Sequence, residues 1–337
     1  MLLCSIPVGA KIYLGNTQKS PVGIKISRLI YKMVLTTPTV KLNNGYEMPL
    51  VGLGTYARKA DQGQFRQAVE WALEAGYRHI DTASIYNNEE EVGEAICNKI
   101  KQGLVKREDI FVTTKLWNDR HAEKDVVPAL KESLERLKLD YVDLYLIHWP
   151  VSVNKKGEDE DIDHAETWRG MERVAELGLS RTIGVSNFNE QQLTKLLETA
   201  KIKPAVNQFE INPTFTAHNL VDYCKKMSIV PVAYTPLGLI SEARPEFNGV
   251  DVIKTDPKLG EIAEKYNKSR AQIGLRYLIQ RGIPVLPKSF TKSRIEENLN
   301  IFDFQLTDEE MKIVDGYNLN HRCVPGLAFK NCKNFPF

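Results

Sequence analysis

The sequence predicts one α/β domain, a (β/α)8 barrel of the TIM type, entered through an N-terminal β-hairpin. Three observations predict it. Strand-like apolar runs alternate with helix-period segments from residue 48 to residue 287. Several of those runs are β-branched or aromatic without polar alternation, as parallel strands covered on both faces must be. Polar residues collect where the runs end, which in such a barrel is the functional face. A chain of 337 residues accommodates two ordinary domains or one such barrel.

The elements follow in order. Val40 to Leu50 forms two short extended runs around Asn44-Gly45, a hairpin signal because both turn residues tolerate positive φ. Eight strands are predicted at 48–54, 77–81, 110–115, 142–148, 181–186, 205–209, 229–234 and 283–287. Helices are predicted at 65–75, 89–101, 125–139, 165–177, 190–199, 219–227, 259–265 and 270–280. In the third of these, Val126, Leu130, Leu134 and Leu137 make one apolar stripe. Gly76, Gly103, Gly178 and Gly282 each follow a helix, where a left-handed terminator belongs. The structural rival is an open doubly wound sheet. Its fingerprint is G-x-G-x-x-G in the first βα turn, and Gly52-Leu53-Gly54-Thr55-Tyr56-Ala57-Arg58 lacks the last glycine.

The first 32 residues differ in composition. They hold Lys11, Lys19, Lys25, Arg28 and Lys32 and no acidic residue, leaving 40 basic against 43 acidic residues in the rest. A basic, acid-poor segment suits a targeting peptide. Pro7, Gly9, Gly15, Pro21 and Gly23 break it, however, and deny it a long amphipathic helix. The expected organisation is an extension at 1–37, disordered or upstream of a start at Met33, followed by the barrel at 38–337. The formal net charge of +2 gives no basic field for nucleic acid, and no run of 18 apolar residues spans a membrane. Cys4, Cys97, Cys224, Cys323 and Cys332 include no C-x-x-C and read as free thiols in a reducing, cytoplasmic compartment.

The strand ends carry the chemistry. The second run ends in Asp81-Thr82 with Tyr86 close behind, the third in Lys115 and the fourth in His148. The next three end in Ser186-Asn187, Asn207-Gln208 and Tyr234-Thr235, and Lys288-Ser289 follows the eighth. One such residue alone reads as a cap or a surface ion pair. Placed together on consecutive strands, they read as one site. His79 lies mid-strand and reads as structural, and His121, His164, His218 and His321 carry no special signal.

A tyrosine pKa of about 10 is too high for an efficient proton donor near neutrality. An ammonium beside Tyr86 would lower it, Asp81 would keep Lys115 charged, and His148 would orient the substrate oxygen. That arrangement protonates a carbonyl oxygen as it gains charge, and with no nucleophilic side chain evident, external hydride is the economical partner. A metal-dependent hydrolase would need converging His and carboxylate ligands, whereas one strand-end His and one strand-end Asp are present, with no His-x-His. No G-x-S-x-G appears for serine chemistry. Beyond the last strand, Lys288, Ser289 and Arg294 in a loop leading into a helix form a phosphate site. The Tyr234 face can stack on a nicotinamide, with Ser186, Asn187 and Gln208 hydrogen-bonding its carboxamide.

At these residues the sequence resembles the aldo-keto reductase superfamily, from about Val40 to Phe337. The stretches that carry the resemblance are Gly76-Tyr77-Arg78-His79-Ile80-Asp81-Thr82-Ala83 with Tyr86 and Asn88-Glu89, and Leu146-Ile147-His148-Trp149-Pro150. Gly184-Val185-Ser186-Asn187-Phe188, Tyr234-Thr235-Pro236-Leu237-Gly238, and Leu286-Pro287-Lys288-Ser289 with Arg294, Glu297 and Asn298 complete it. The resemblance implies NADPH-dependent reduction of aldehydes and ketones by a monomer without a metal. It implies Tyr86 as general acid, Lys115 and Asp81 as its pKa-lowering pair, and His148 as the substrate-orienting residue. It implies cofactor contacts from Thr55, Ser186, Asn187, Gln208, Tyr234, Thr235, Leu237, Lys288, Ser289, Arg294, Glu297 and Asn298. Tyr56, Ile85, Trp117, His148 and Trp149 would line the substrate pocket, which the tail at 321–337 would close.

There are departures from the pattern. The loop at 151–164 is shorter than in many mammalian relatives and is acidic from Glu158 to Asp161. Leu239 to Glu242 replaces the Ser-x-x-Asp that in some relatives clasps the pyrophosphate, and Tyr56 stands where several have Trp. The pattern, shortened loop included, also resembles arthropod members, some of which reduce ecdysteroid ketones. The alternative function is an NADPH-binding structural or regulatory barrel with little turnover.

Overall fold

A computed structural model describes residues 37–56, 63–240 and 253–337. The expected extension therefore lies outside the described residues except for Thr37, and so do Ser241 and Glu242. The hairpin forms as expected, with β1 (Thr39–Lys41) paired antiparallel to β2 (Glu47–Pro49) around Gly45 at φ +91°. Asn43 and Asn44 donate side-chain hydrogen bonds to the carbonyls of Pro204 and Arg181. The hairpin is thereby tied beneath the starts of the later strands.

Eight parallel strands follow: β3 (Leu53–Gly54), β4 (His79–Asp81), β5 (Phe111–Leu116), β6 (Val142–Ile147), β7 (Ser180–Ser186), β8 (Val206–Glu210), β9 (Val230–Tyr234) and β10 (Val285–Leu286). They pair in sequence order. Closure comes from residues 50–54 meeting 285–287. Val285 N–H donates to Leu50 O at 2.8 Å, and Gly54 N–H to Pro287 O at 3.1 Å. β5 and β6 are buried at every position, which is why their runs show no alternation.

Between the strands run α1 (Phe65–Ala75), α2 (Glu89–Lys101), α3 (Glu123–Leu137), α4 (His164–Glu176), α5 (Glu190–Thr199) and α6 (His218–Lys226). The α3 stripe of Val126, Leu130, Leu134 and Leu137 is buried against the sheet. The glycines after α1, α2, α4 and the helix before β10 all have positive φ.

Three expectations need correction. The predicted strand at 48–54 is two elements, because the hairpin takes Glu47–Pro49 and the barrel takes only Leu53–Gly54. The two helices α7 (Pro257–Lys265) and α8 (Arg270–Gln280) both precede β10, so they do not complete an eight-unit alternation. The helix that follows β10 is α9 (Lys292–Leu299), and α10 (Asp308–Asp315) comes after it. Both are short and at least half charged, so apolar period alone did not set their bounds. A capping box in which Thr307 and Glu310 cap each other was the readable start signal for α10.

Candidate active site

The C-terminal strand ends bring the expected tetrad together. Asp81 closes β4, and a single 3-10 turn (Ser84–Tyr86) presents Tyr86 above it. Ser84 Oγ donates to Lys115 O at 3.0 Å, which ties that turn to β5. Thr55 Oγ donates to Asp81 O at 2.9 Å, and Asn88 bridges Thr82 and Thr55. Asp81 is thus held by pairing with the neighbouring strands, and the turn that carries Tyr86 is tied down by a side chain.

Lys115 is fully buried, and its ammonium donates to Asp81 Oδ1 at 2.6 Å and to Thr82 O at 2.8 Å. The other Asp81 oxygen accepts from Gln208 Nε2 at 2.8 Å. The Lys115 ammonium lies 5.0 Å from the centre of the Tyr86 ring. His148 packs edge-on against the same ring at 5.6 Å and Tyr56 at 5.2 Å between centroids.

Around Tyr86 the electrostatics act in the opposite direction to the expected lowering. Burial pushes the Tyr86 phenol well above its ordinary value, and the Asp81 carboxylate adds to the rise. Burial pulls Lys115 itself below its ordinary value, against the opposing pull of Asp81. Burial, helped by the Lys115 charge, pulls His148 well below its usual range. The ground state is therefore a neutral phenol beside a neutral imidazole.

The residues expected at a nicotinamide also converge. Tyr234 OH donates to Asn187 Oδ1 at 2.7 Å, and Asn187 Nδ2 donates to His148 O and Ser186 Oγ at 3.0 and 3.1 Å. Asn187 adopts a left-handed φ of +64°, which turns its amide back toward His148. Half-buried Thr235 and Leu237 follow Tyr234, and Thr55 is buried beside Asp81. Farther out, Lys288 and Arg294 are exposed, and Ser289 Oγ accepts from Thr291 N–H at 3.0 Å. Thr291 caps α9 without a side-chain hydrogen bond, so that helix end suits an anion. Glu297 is exposed and Asn298 buried on the same helix.

The pocket walls are aromatic. Trp117 packs against His148 at 5.2 Å, and Phe329 touches both Trp117 and Trp149 at 6.0 and 5.6 Å. Tyr56 and Ile85 stand exposed at the rim, and Phe337 packs on Trp149 at 5.8 Å. The tail therefore closes this side of the barrel. Residue-by-residue reading of the sequence did not single out Phe329, Phe337 or Glu210. For Glu210 a signal existed: it lies two positions beyond Gln208 on β8, so the two share a strand face.

Fold and site define a barrel protein whose mouth brings a half-buried phenol, an ion pair and an imidazole together. The model of the Aldo/keto reductase family matches residues 50–318. An aldo-keto reductase of Bombyx mori, AKR2E4, is 48% identical over 308 residues, covering 90% of this chain and 100% of its own. The mouse protein estradiol 17 beta-dehydrogenase 5 is 45% identical over 314 residues, covering 89% of this chain and 97% of its own. The crystal structure of the Bombyx AKR2E4 in complex with NADP superimposes with a TM-score of 0.87, covering 90% of this chain and all of that one. The chain belongs to the aldo/keto reductase family.

Proposed function

We propose that the protein reduces aldehydes or ketones to alcohols with NADPH, and that Tyr86 donates the proton. The carrying observation is the Lys115 ammonium, paired with Asp81 at 2.6 Å and lying 5.0 Å from the centre of the Tyr86 ring, with His148 packed edge-on against that ring. Several features fit a dinucleotide. They are the Tyr234 ring fixed through Asn187, the amides of Asn187 and Gln208 nearby, and Lys288 and Arg294 at a helix start without a side-chain cap. Ser186, Thr55, Thr235, Leu237, Ser289, Glu297 and Asn298 complete the proposed contacts. When bound, NADPH supplies the hydride.

The remaining steps belong to the chain. His148 and Tyr86 hold the carbonyl oxygen between an imidazole and a phenol. As negative charge grows on that oxygen, the phenol gives up its proton, and the nearby ammonium favours the phenolate left behind. Asp81 keeps that ammonium charged despite its burial. Trp117, Trp149, Tyr56 and Ile85 exclude water and cover the substrate's apolar body.

Loss of NADPH absorbance over a panel of aldehydes and ketones tests the activity. Tyr86→Phe should cost on the order of 10²–10⁴ in kcat, the range of a general acid, with cofactor affinity kept. Near-normal turnover would remove Tyr86 from this role. The proposal includes a monomer in a reducing, cytoplasmic compartment. The tetrad comes from one chain, and Cys97, Cys224, Cys323 and Cys332 are free thiols. Gel filtration and cell fractionation check both.

A further inference from the structure

Glu210 ends β8, one register step from the cofactor side, since it pairs with Tyr234 of β9. Its side chain is completely buried and carries no cationic hydrogen-bond partner among the described residues. Instead it takes three N–H groups. Oε1 accepts from Cys323 N–H at 2.7 Å and from Asn212 Nδ2 at 3.1 Å, and Oε2 accepts from Val324 N–H at 2.8 Å. Two consecutive backbone amides of the C-terminal segment are therefore gripped by one carboxylate. Charge-assisted hydrogen bonds of this length are the strong kind.

Beyond that grip the chain builds the pocket wall. Gly326 turns at φ +62° with its α-carbon so close to Trp149 that an added Cβ would lie 2.9 Å from the indole ring. Phe329 then reaches Trp117 and Trp149, and Trp117 touches His148. The far end of the tail is fixed separately. Gln192 donates to Asn334 O, Asn189 donates to Pro336 O, and Lys333 pairs with Asp161 of the acidic loop. Arg322 sits 3.5 Å from the Phe337 ring centre. The tail is thus pinned at both ends, and Glu210 is the buried pin next to the barrel.

We infer that Glu210 is a positioning residue for substrate selection: by holding the Cys323 and Val324 amides it sets Phe329 and Phe337 against Trp117 and Trp149, and so fixes the pocket for bulky apolar carbonyls. It touches neither the reacting atoms nor the tetrad. The inference rests on the proposed reductase reading.

The test compares kcat/KM for a bulky apolar ketone and for a small aldehyde in the full chain with NADPH. In Glu210→Ala the bulky-to-small ratio should fall about tenfold, the loss one charge-assisted hydrogen bond sets. A Phe329→Ala/Phe337→Ala variant should show a similar fall, and adding Glu210→Ala to it should lower the ratio no further, because both act through one wall. Hydrogen exchange at the Cys323 and Val324 amides should quicken in Glu210→Ala while the barrel strands keep their protection. If Glu210→Ala does not fold, Glu210→Gln is read in the same way. An unchanged ratio, losses that multiply in the combined variant, or unchanged exchange at the two amides would overturn the inference. Failure of the wild-type chain to consume NADPH with any carbonyl would sink the reductase reading instead.

Discussion

The Lys115 ammonium lies 2.6 Å from Asp81 Oδ1, and neither side chain reaches solvent to any extent. That pairing decides the state of the site. It holds a positive charge in a dry pocket, while burial and its carboxylate push the Tyr86 phenol above its ordinary value. The phenol is therefore held in its neutral form.

Breaking the pair is expected to cost both stability and activity. Asp81→Asn leaves a buried ammonium alone, a change worth about 3–5 kcal/mol. The unpaired Lys115 would then shed its proton, and reduction would fall with it. The double variant Asp81→Asn/Lys115→Met should regain most of the stability and none of the turnover. Thermal melts and NADPH assays on the three proteins check this. A double variant with substantial turnover would show that the ammonium is not needed.

The pH dependence of reduction should be flat across the neutral range. The imidazole of His148 is held far below its usual pKa by burial and by Lys115, so it does not charge on mild acidification. The Tyr86 phenol is held above its ordinary value, so it does not ionise on mild basification. Between about pH 6 and pH 8, kcat/KM for an aldehyde should change little. An ionisation seen in that window, and abolished by Tyr86→Phe or His148→Asn, would contradict the assignment.

Cofactor choice should follow Lys288 and Arg294. Each is exposed, one before and one within the first turn of α9, where they can take an extra phosphate. Replacing either by Ala should weaken NADPH about ten- to a hundredfold, as loss of a charged hydrogen bond does, and leave NADH nearly untouched. Fluorescence titration with both nucleotides measures it. Parallel weakening of the two would remove the phosphate from the explanation.

Much of the site was legible because strand ends are legible. Asp81, Lys115, His148, Asn187, Gln208 and Tyr234 each end an apolar run, and the barrel topology alone brings those ends together. Partner choice was not legible. Nothing in the linear pattern shows that Gln208 bonds to Asp81, or that Asn187 is turned onto His148 O and the Tyr234 hydroxyl. The direction in which Tyr86 is pushed depends on burial and on that pairing, so it too needed the fold. The same holds for the fold itself. β5 and β6 are rich in β-branched and aromatic residues and were plain, whereas α9 has so few apolar positions that its bounds could not be read.

Two histidines outside the catalytic group make acid stability predictable. His79 is buried on β4 with Nε2 against Thr113 Oγ, and burial pulls its pKa down to about 4. His121 is buried beyond Trp117, and burial with nearby His164 pulls its pKa down to about 3. In the unfolded chain both would protonate near the ordinary value of 6.5. Below that pH the unfolded state binds protons that the folded state refuses. The stabilisation is full above 6.5 and drains as pH falls toward 4 for His79 and toward 3 for His121. Each histidine should withdraw about 1.4 kcal/mol per pH unit within its window. Melting temperatures measured from neutrality down to about pH 5 should therefore drop, and His79→Gln/His121→Gln should flatten the slope even if it lowers the starting value. A double variant that loses stability with acid as steeply as the parent would mean that neither imidazole is kept neutral by the fold.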